Sequence, residues 1–153
     1  MAVTTENIFY EFVLKPLTND LRSEFPGQTI YIAPSILHQD PFSIRIWGGS
    51  AETHEYYSNA WQKQYNIEIA LYEIEKNPGE AYYRQFYVDI ERIYQHLFTN
   101  AKTRETTYSG VTHTWIDGVC DEFIINEFEE DEDDIDGLNV CRFIFNCKIM
   151  RED

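Results

Sequence analysis

Between residues 65 and 101 the apolar side chains change period. Ile67, Ile69 and Leu71 alternate strictly, as in a strand with one buried face, and then Tyr83, Phe86, Ile90, Ile93 and Leu97 recur at helical spacing. Asn77-Pro78-Gly79-Glu80 marks the change: an Asn cap, Pro at the first helical position and Glu at the third predict a helix that starts there and runs to about residue 102. The segments around this unit read as strands, apart from an N-terminal helix. The expected class is therefore α+β, a mixed and mostly antiparallel β-sheet packed against one long helix plus an N-terminal helix. A chain of 153 residues suits a single domain, 1–153, burying roughly two thirds of the surface its unfolded form exposes.

Ile8, Phe12, Leu14, Leu17, Leu21 and Phe25 predict the N-terminal helix over about 5–24. Pro16 must kink it or begin a second helix, because proline lacks the N–H that a helix interior needs. Short strands are expected at 30–33 and 42–47, with Gly48-Gly49-Ser50 as a turn or bulge and His54-Glu55-Tyr56-Tyr57 as a continuation. After the long helix, 111–116 and 119–128 read as two strands folded about Asp117-Gly118, a favoured hairpin turn. Cys141, Phe143, Phe145, Cys147 and Ile149 alternate most clearly of all, so the acidic segment 127–137 before them is a loop between strands.

With 27 acidic and 12 basic side chains the formal charge is −15, which disfavours a direct grip on nucleic-acid phosphates. Half of the imbalance is local. Glu127, Glu129, Glu130, Asp131, Glu132, Asp133, Asp134 and Asp136 put eight acids into ten residues, and without them the charge is −7. Like charges at that density call for solvent, so the expectation is an exposed loop that maintains solubility or meets a basic surface. Aromatic residues reach 16%, which fits either a Tyr-filled sheet–helix core or surface rings that contact a partner. Cys120, Cys141 and Cys147 form neither a CxxC pair nor a zinc set and read as reduced core residues. With no basic-then-apolar leader and no apolar run near the ~20 residues of a membrane span, a soluble protein made in a reducing cytoplasm is expected.

No catalytic motif assembles. Among His38, His54, His96 and His113, His54-Glu55 opens like a zincin motif, but its second ligand position is Ser58. His96 lies near a helix C-terminus, where the dipole alone favours an imidazolium. Gly48-Gly49-Ser50 is not a nucleophile elbow, and no phosphate-cradling glycine loop occurs. Asp117, Asp121 and Glu122 remain as an acid–base set, although carboxylates beside a hairpin are ordinarily just solvated. Glu132-Asp133-Asp134-Ile135-Asp136-Gly137 places acids at positions one, three and five of an EF-hand-like loop and Gly at six, but position twelve is Phe143 and the flanks are strands. No catalytic residue, metal or cofactor is assigned, and the chain reads as non-enzymatic.

The order of elements is a helix, a Pro-flanked strand, a strand with a Gly turn, the strand 64–74, the helix 80–101, and strands ending in Arg142-Phe143-Ile144-Phe145-Asn146-Cys147-Lys148-Ile149. It resembles the tail terminator (tail completion) and tail-to-head joining proteins of long-tailed bacteriophages, over nearly the whole chain but as a pattern without a short motif. The resemblance implies a virion structural protein of the tail or neck, assembled in the host cytoplasm. Its ring, typically a homohexamer, caps the tail tube and presents a surface to the head connector. Implied partners are other copies of the chain, the tail tube protein and the connector or neck proteins; DNA passes through without specific binding, and no membrane is involved. By the enrichment of aromatics in interfaces, Trp47, Trp61, Tyr82, Tyr87 and Tyr94 are the oligomer-interface candidates, while the acidic loop lines the lumen or faces a partner. Other classes stay open: a different neck or head–tail adaptor subunit, an acidic adaptor for a basic partner, and a small enzyme or ligand-binding α+β domain with Tyr108, His113 or Asp117 at a pocket mouth.

Overall fold

The computed structural model describes residues 7–33, 41–56, 60–100, 104–108, 110–129 and 132–152. Along them run a π-helical segment Phe9–Leu14, α1 Lys15–Glu24, β1 Thr29–Tyr31, β2 Phe42–Tyr56, β3 Ala60–Ile74, α2 Glu80–Asn100, β4 Arg104–Tyr108, β5 Val111–Ile125 and β6 Leu138–Glu152. The six strands form one curled sheet in the order β1-β2-β3-β6-β5-β4, antiparallel except where β1 lies beside β2. The expected α+β class and mostly antiparallel sheet are thus what the chain adopts. The helical side is divided differently from expectation. An N-terminal stretch of six π-helical and ten α-helical residues shares the cover with α2, so the packing does not rest on one long helix.

Alternation along the strands sorts the sheet into two faces. One presents Ile44, Ile46, Ile67, Ile69, Leu71, Phe143, Phe145 and Ile149 to Val13, Leu17 and Leu21 of the N-terminal stretch and to Phe86, Ile90, Ile93 and Leu97 of α2. Each such side chain contributes roughly 1.5–3 kcal/mol by leaving water. The back face carries a smaller cluster of Ala70, Tyr72, Leu138 and Val140, with Trp47, Ile74 and Ile135 packed against it. Ile135 belongs to the acidic loop, which therefore folds onto the sheet.

Pro16 stands where the π-helical segment gives way to α1. It sits in the first turn of α1, and it has no N–H for the carbonyl one α-helical turn earlier, that of Phe12. The buried Trp115 donates its indole Nε1–H to that carbonyl at 2.6 Å, so the acceptor left over by the proline is satisfied from β5.

Several local expectations change. Asp117-Gly118 is not a hairpin turn: β5 runs straight through it and pairs with β6 on both sides, with a register shift between Ile116 and Val119. Asp117 has φ +53, so the pair supplies the left-handed residue of a bulge. Gly48 also lies inside a strand, at a shift between Gly48 and Ser50, and β2 continues to Tyr56. The helix start moves as well. Asn77 N–H is held by the Glu75 carboxylate at 3.3 Å, and the first turn of α2 closes from Tyr83 N–H to the Gly79 carbonyl at 3.1 Å. β4 was not expected.

Cys120, Cys141 and Cys147 are free and buried. Burial pushes the Cys120 thiol up to about 11 and that of Cys141 up to about 12, and raises Cys147 further.

Candidate functional site

Cross-strand register arranges the back face in rows. Ser43, Tyr72 and Val140 form the first; Arg45, Ala70, Arg142 and Ile124 the second; Trp47, Glu68, Ile144 and Glu122 the third. Arg45 is buried, with its guanidinium 4.3 Å from the Tyr31 ring centre and 6.0 Å from that of Tyr72.

The acidic loop is pinned over the first two rows by one of its own carboxylates. Glu132 is buried, bonded to the Arg142 guanidinium and to the Tyr72 hydroxyl, and accepts the Glu129 N–H at 2.7 Å. Burial alone would raise the Glu132 pKa, but the bonds from Glu129 N–H, Tyr72 and Arg142 outweigh it and hold the carboxyl below its ordinary value. Backbone bonds from Glu132 and Asp133 N–H to the Glu129 carbonyl, at 3.0 and 3.3 Å, tighten the turn. The expectation of a wholly solvated loop is thus corrected at Glu132, and the EF-hand-like pattern loses its first ligand to Arg142. Glu127, Glu129, Asp133, Asp134 and Asp136 are exposed as expected; Glu130 and Asp131 lie outside the described residues. Nothing local in the run distinguishes Glu132, since its partner stands ten residues away on the next strand.

The aromatic candidates are spread over both faces and do not form one patch. Trp47 lies on the back face, half-buried, and donates its indole N–H to Glu68 at 2.7 Å. Trp61 packs on the core side, 5.8 Å from the His113 ring and beneath the Lys63 ammonium. Tyr82 is half-buried on α2 and Tyr94 stacks on Phe98 and meets Phe123 edge-on. Tyr87 is half exposed, beside the exposed Val88.

A buried carboxyl pair escaped the sequence reading. Glu73 of β3 and Asp89 of α2 are both buried and hydrogen-bonded to each other, with Gln85 donating to Asp89 at 3.0 Å. Burial first, then the neighbouring Asp89 carboxyl and its charge, push Glu73 up to about 8. Glu73 therefore keeps its proton above the ordinary carboxylate range. The signal was present: Glu73 continues the inward parity of Ile69 and Leu71, and Asp89 falls between Phe86 and Ile90.

Of the histidines, His113 and His96 have described side chains, one in the core and one near a helix end. His113 is buried with the Phe12 ring 4.2 Å away, so it edges no pocket mouth, and Asp117 is exposed on its bulge. Asp121 accepts a bond from Asn146, and Glu122 is exposed. His96 lies 4.0 Å from the Glu24 carboxylate, and Arg92 caps α1 by donating to the Glu24 carbonyl at 2.9 Å. An open groove of about 540 Å³ runs along this contact, lined by Tyr87, Glu91, Arg92 and His96. His38 lies outside the described residues, as do the side chains of His54 and Tyr108. Among the described residues, no three His, Cys, Asp or Glu side chains stand together as metal ligands, and no helix is long and apolar enough to cross a membrane.

The sheet has open edges at opposite sides. β1 covers β2 only at 43–45 and β4 covers β5 only at 111–115, so 46–56 and 116–125 have no outer strand partner among the described residues. Both stretches carry bulges, at Gly48/Ser50 and Thr53/Glu55 and at Ile116/Val119 and Cys120/Glu122. No protein-family model and no curated protein matches this sequence.

Proposed function

We propose that this chain is a structural subunit of the tail or neck of a long-tailed bacteriophage, forming the ring that terminates the tail tube and joins it to the head connector. The observation that supports it most is the pair of open edges. The β2 edge of one copy can meet the β5 edge of the next, a head-to-tail contact that closes when the rotation per subunit divides a full turn. The bulges favour this use over indiscriminate pairing, because an interrupted edge accepts only a strand of matching register. Termination is then geometric: one ring face fits the last tube ring, and the other lacks the surface that would seat another and docks the connector instead. The acidic surface keeps passing DNA from sticking.

The test is mass by light scattering at low and moderate salt, with negative-stain images of the same fractions. Hexamer-sized rings with an open centre are expected, and Tyr87→Ala reduces them without changing the circular dichroism of the subunit. A monomer that stays monomeric in the presence of assembled tail tubes overturns the reading. The pinned acidic loop favours a second one, an acidic adaptor that binds a basic partner as a monomer. It expects no rings and salt-sensitive binding that is lost when the loop is neutralised.

A further inference from the structure

We infer that the third row of the back face is a receptor for one basic side chain of a different protein, carried on an extended and partly apolar segment. At the margin of the acidic loop, Trp47, Glu68, Ile124, Ile144, Glu127 and Glu129 line a notch of about 190 Å³. That volume is below the 300–1,000 Å³ typical of small-molecule pockets, and it suits a single long side chain. The floor is apolar. Ile124 is 37% exposed and Val119, two rows further along β5, is 40% exposed, so dry surface beside the notch is open for the residues flanking the inserted one.

The wall is anionic and stands on a fixed backbone. Glu68, Glu127 and Glu129 are exposed carboxylates, and Arg142 is the one basic residue lining the notch. Its guanidinium is committed to Glu132 and, through Nε, to the Glu127 carbonyl at 3.3 Å. The same bonds fix the backbone carrying Glu127 and Glu129, and the Trp47 indole N–H holds Glu68 at 2.7 Å. A cation entering between these groups meets carboxylates on a backbone already fixed, and one of them, Glu68, is itself held by the indole beside it.

Charge selects the occupant. A nucleic-acid backbone is repelled, and a second copy of this chain, at −15, brings mostly acid to an acidic wall. Lys or Arg flanked by apolar residues complements both the wall and the floor. The inference does not depend on ring formation, and it is read on whatever assembly state the chain adopts.

The test uses the full chain labelled with 5-fluorotryptophan, whose three indoles give separate fluorine signals. The probe is a short synthetic peptide alternating Lys or Arg with Val, compared with the same peptide carrying Gln in place of each basic residue. The expected result at low salt is a saturable shift of the Trp47 signal with Trp61 and Trp115 unmoved, no response to the Gln peptide, and at least a tenfold loss of affinity in the Glu127→Gln, Glu129→Gln double variant. An unmoved Trp115 signal in that variant reports that the core is intact. A triple variant, Asp133→Asn, Asp134→Asn, Asp136→Asn, keeps most of the affinity. The proposal is overturned by the absence of a saturable Trp47 shift, by equal binding of the Gln peptide, or by a loss in the triple variant as large as in the double one.

Discussion

Glu73 and Asp89 give this fold an unusual response to pH. Glu73 keeps a proton that the unfolded chain releases near the ordinary carboxylate value, because burial and the neighbouring Asp89 push its carboxyl up to about 8 in the folded state. Because the folded pKa is raised, the stabilisation is full below the unfolded value and is lost as pH climbs to the folded one, at about 1.4 kcal/mol per pH unit. Urea unfolding midpoints are expected to fall from about pH 5 to about pH 8 and then level, and Glu73→Gln removes most of the slope. Glu132 acts with the opposite sign. Its depressed carboxyl contributes stability at neutral pH that is lost as pH falls through its folded pKa. Arg142→Met leaves Glu132 buried and uncompensated, and equilibrium unfolding at neutral pH should show a loss of about 3 kcal/mol. The two sites differ in how far the sequence exposes them. Inward parity marks Glu73 on its own strand, whereas only the three-dimensional register singles out Glu132 from its acidic neighbours.

Among the elements, the N-terminal stretch shows how a single proline is accommodated. Trp115→Phe removes the donor to the Phe12 carbonyl and is expected to cost about 2 kcal/mol. In a Pro16→Ala background the restored N–H takes over part of that role, so the loss is smaller, and a double-mutant cycle measured by denaturant reads the difference. The other end of this stretch lies against β2, where a Cβ at Gly48 would stand 2.7 Å from the Phe9 ring. Gly48→Ala should therefore lower stability by about 1–3 kcal/mol, and Phe9→Leu should recover part of it in thermal unfolding. Periodicity made α2 and β6 legible because each buries one unbroken face. β4 was missed because Arg104-Glu105-Thr106-Thr107 has no apolar alternation and pairs only through a hairpin. Asp117-Gly118 was misread for a physical reason: a hairpin turn and a bulge both require a residue with positive φ, and only long-range pairing decides between them.

For the molecule as a whole, class and layer order were readable from the sequence, since the change of period forces a strand–helix unit and the apolar parity forces a sheet. Surface organisation was not readable. Composition places eight acids in one segment, but that the described part of this segment folds onto the back of the sheet, with Glu132 buried, depends on Arg142 standing there on β6, one row from Trp47. Likewise, five aromatic residues chosen for interface propensity lie on different faces, because ring chemistry is the same in a core and at a contact. The thiols bring a practical consequence. All three are enclosed and poor thiolates, so a maleimide reagent should leave the native chain untouched at neutral pH and label all three cysteines once urea opens the core. A cysteine placed at the exposed Asp134 is then the sole reactive handle per chain, and counting bleaching steps of its dye on single particles reads subunit number directly.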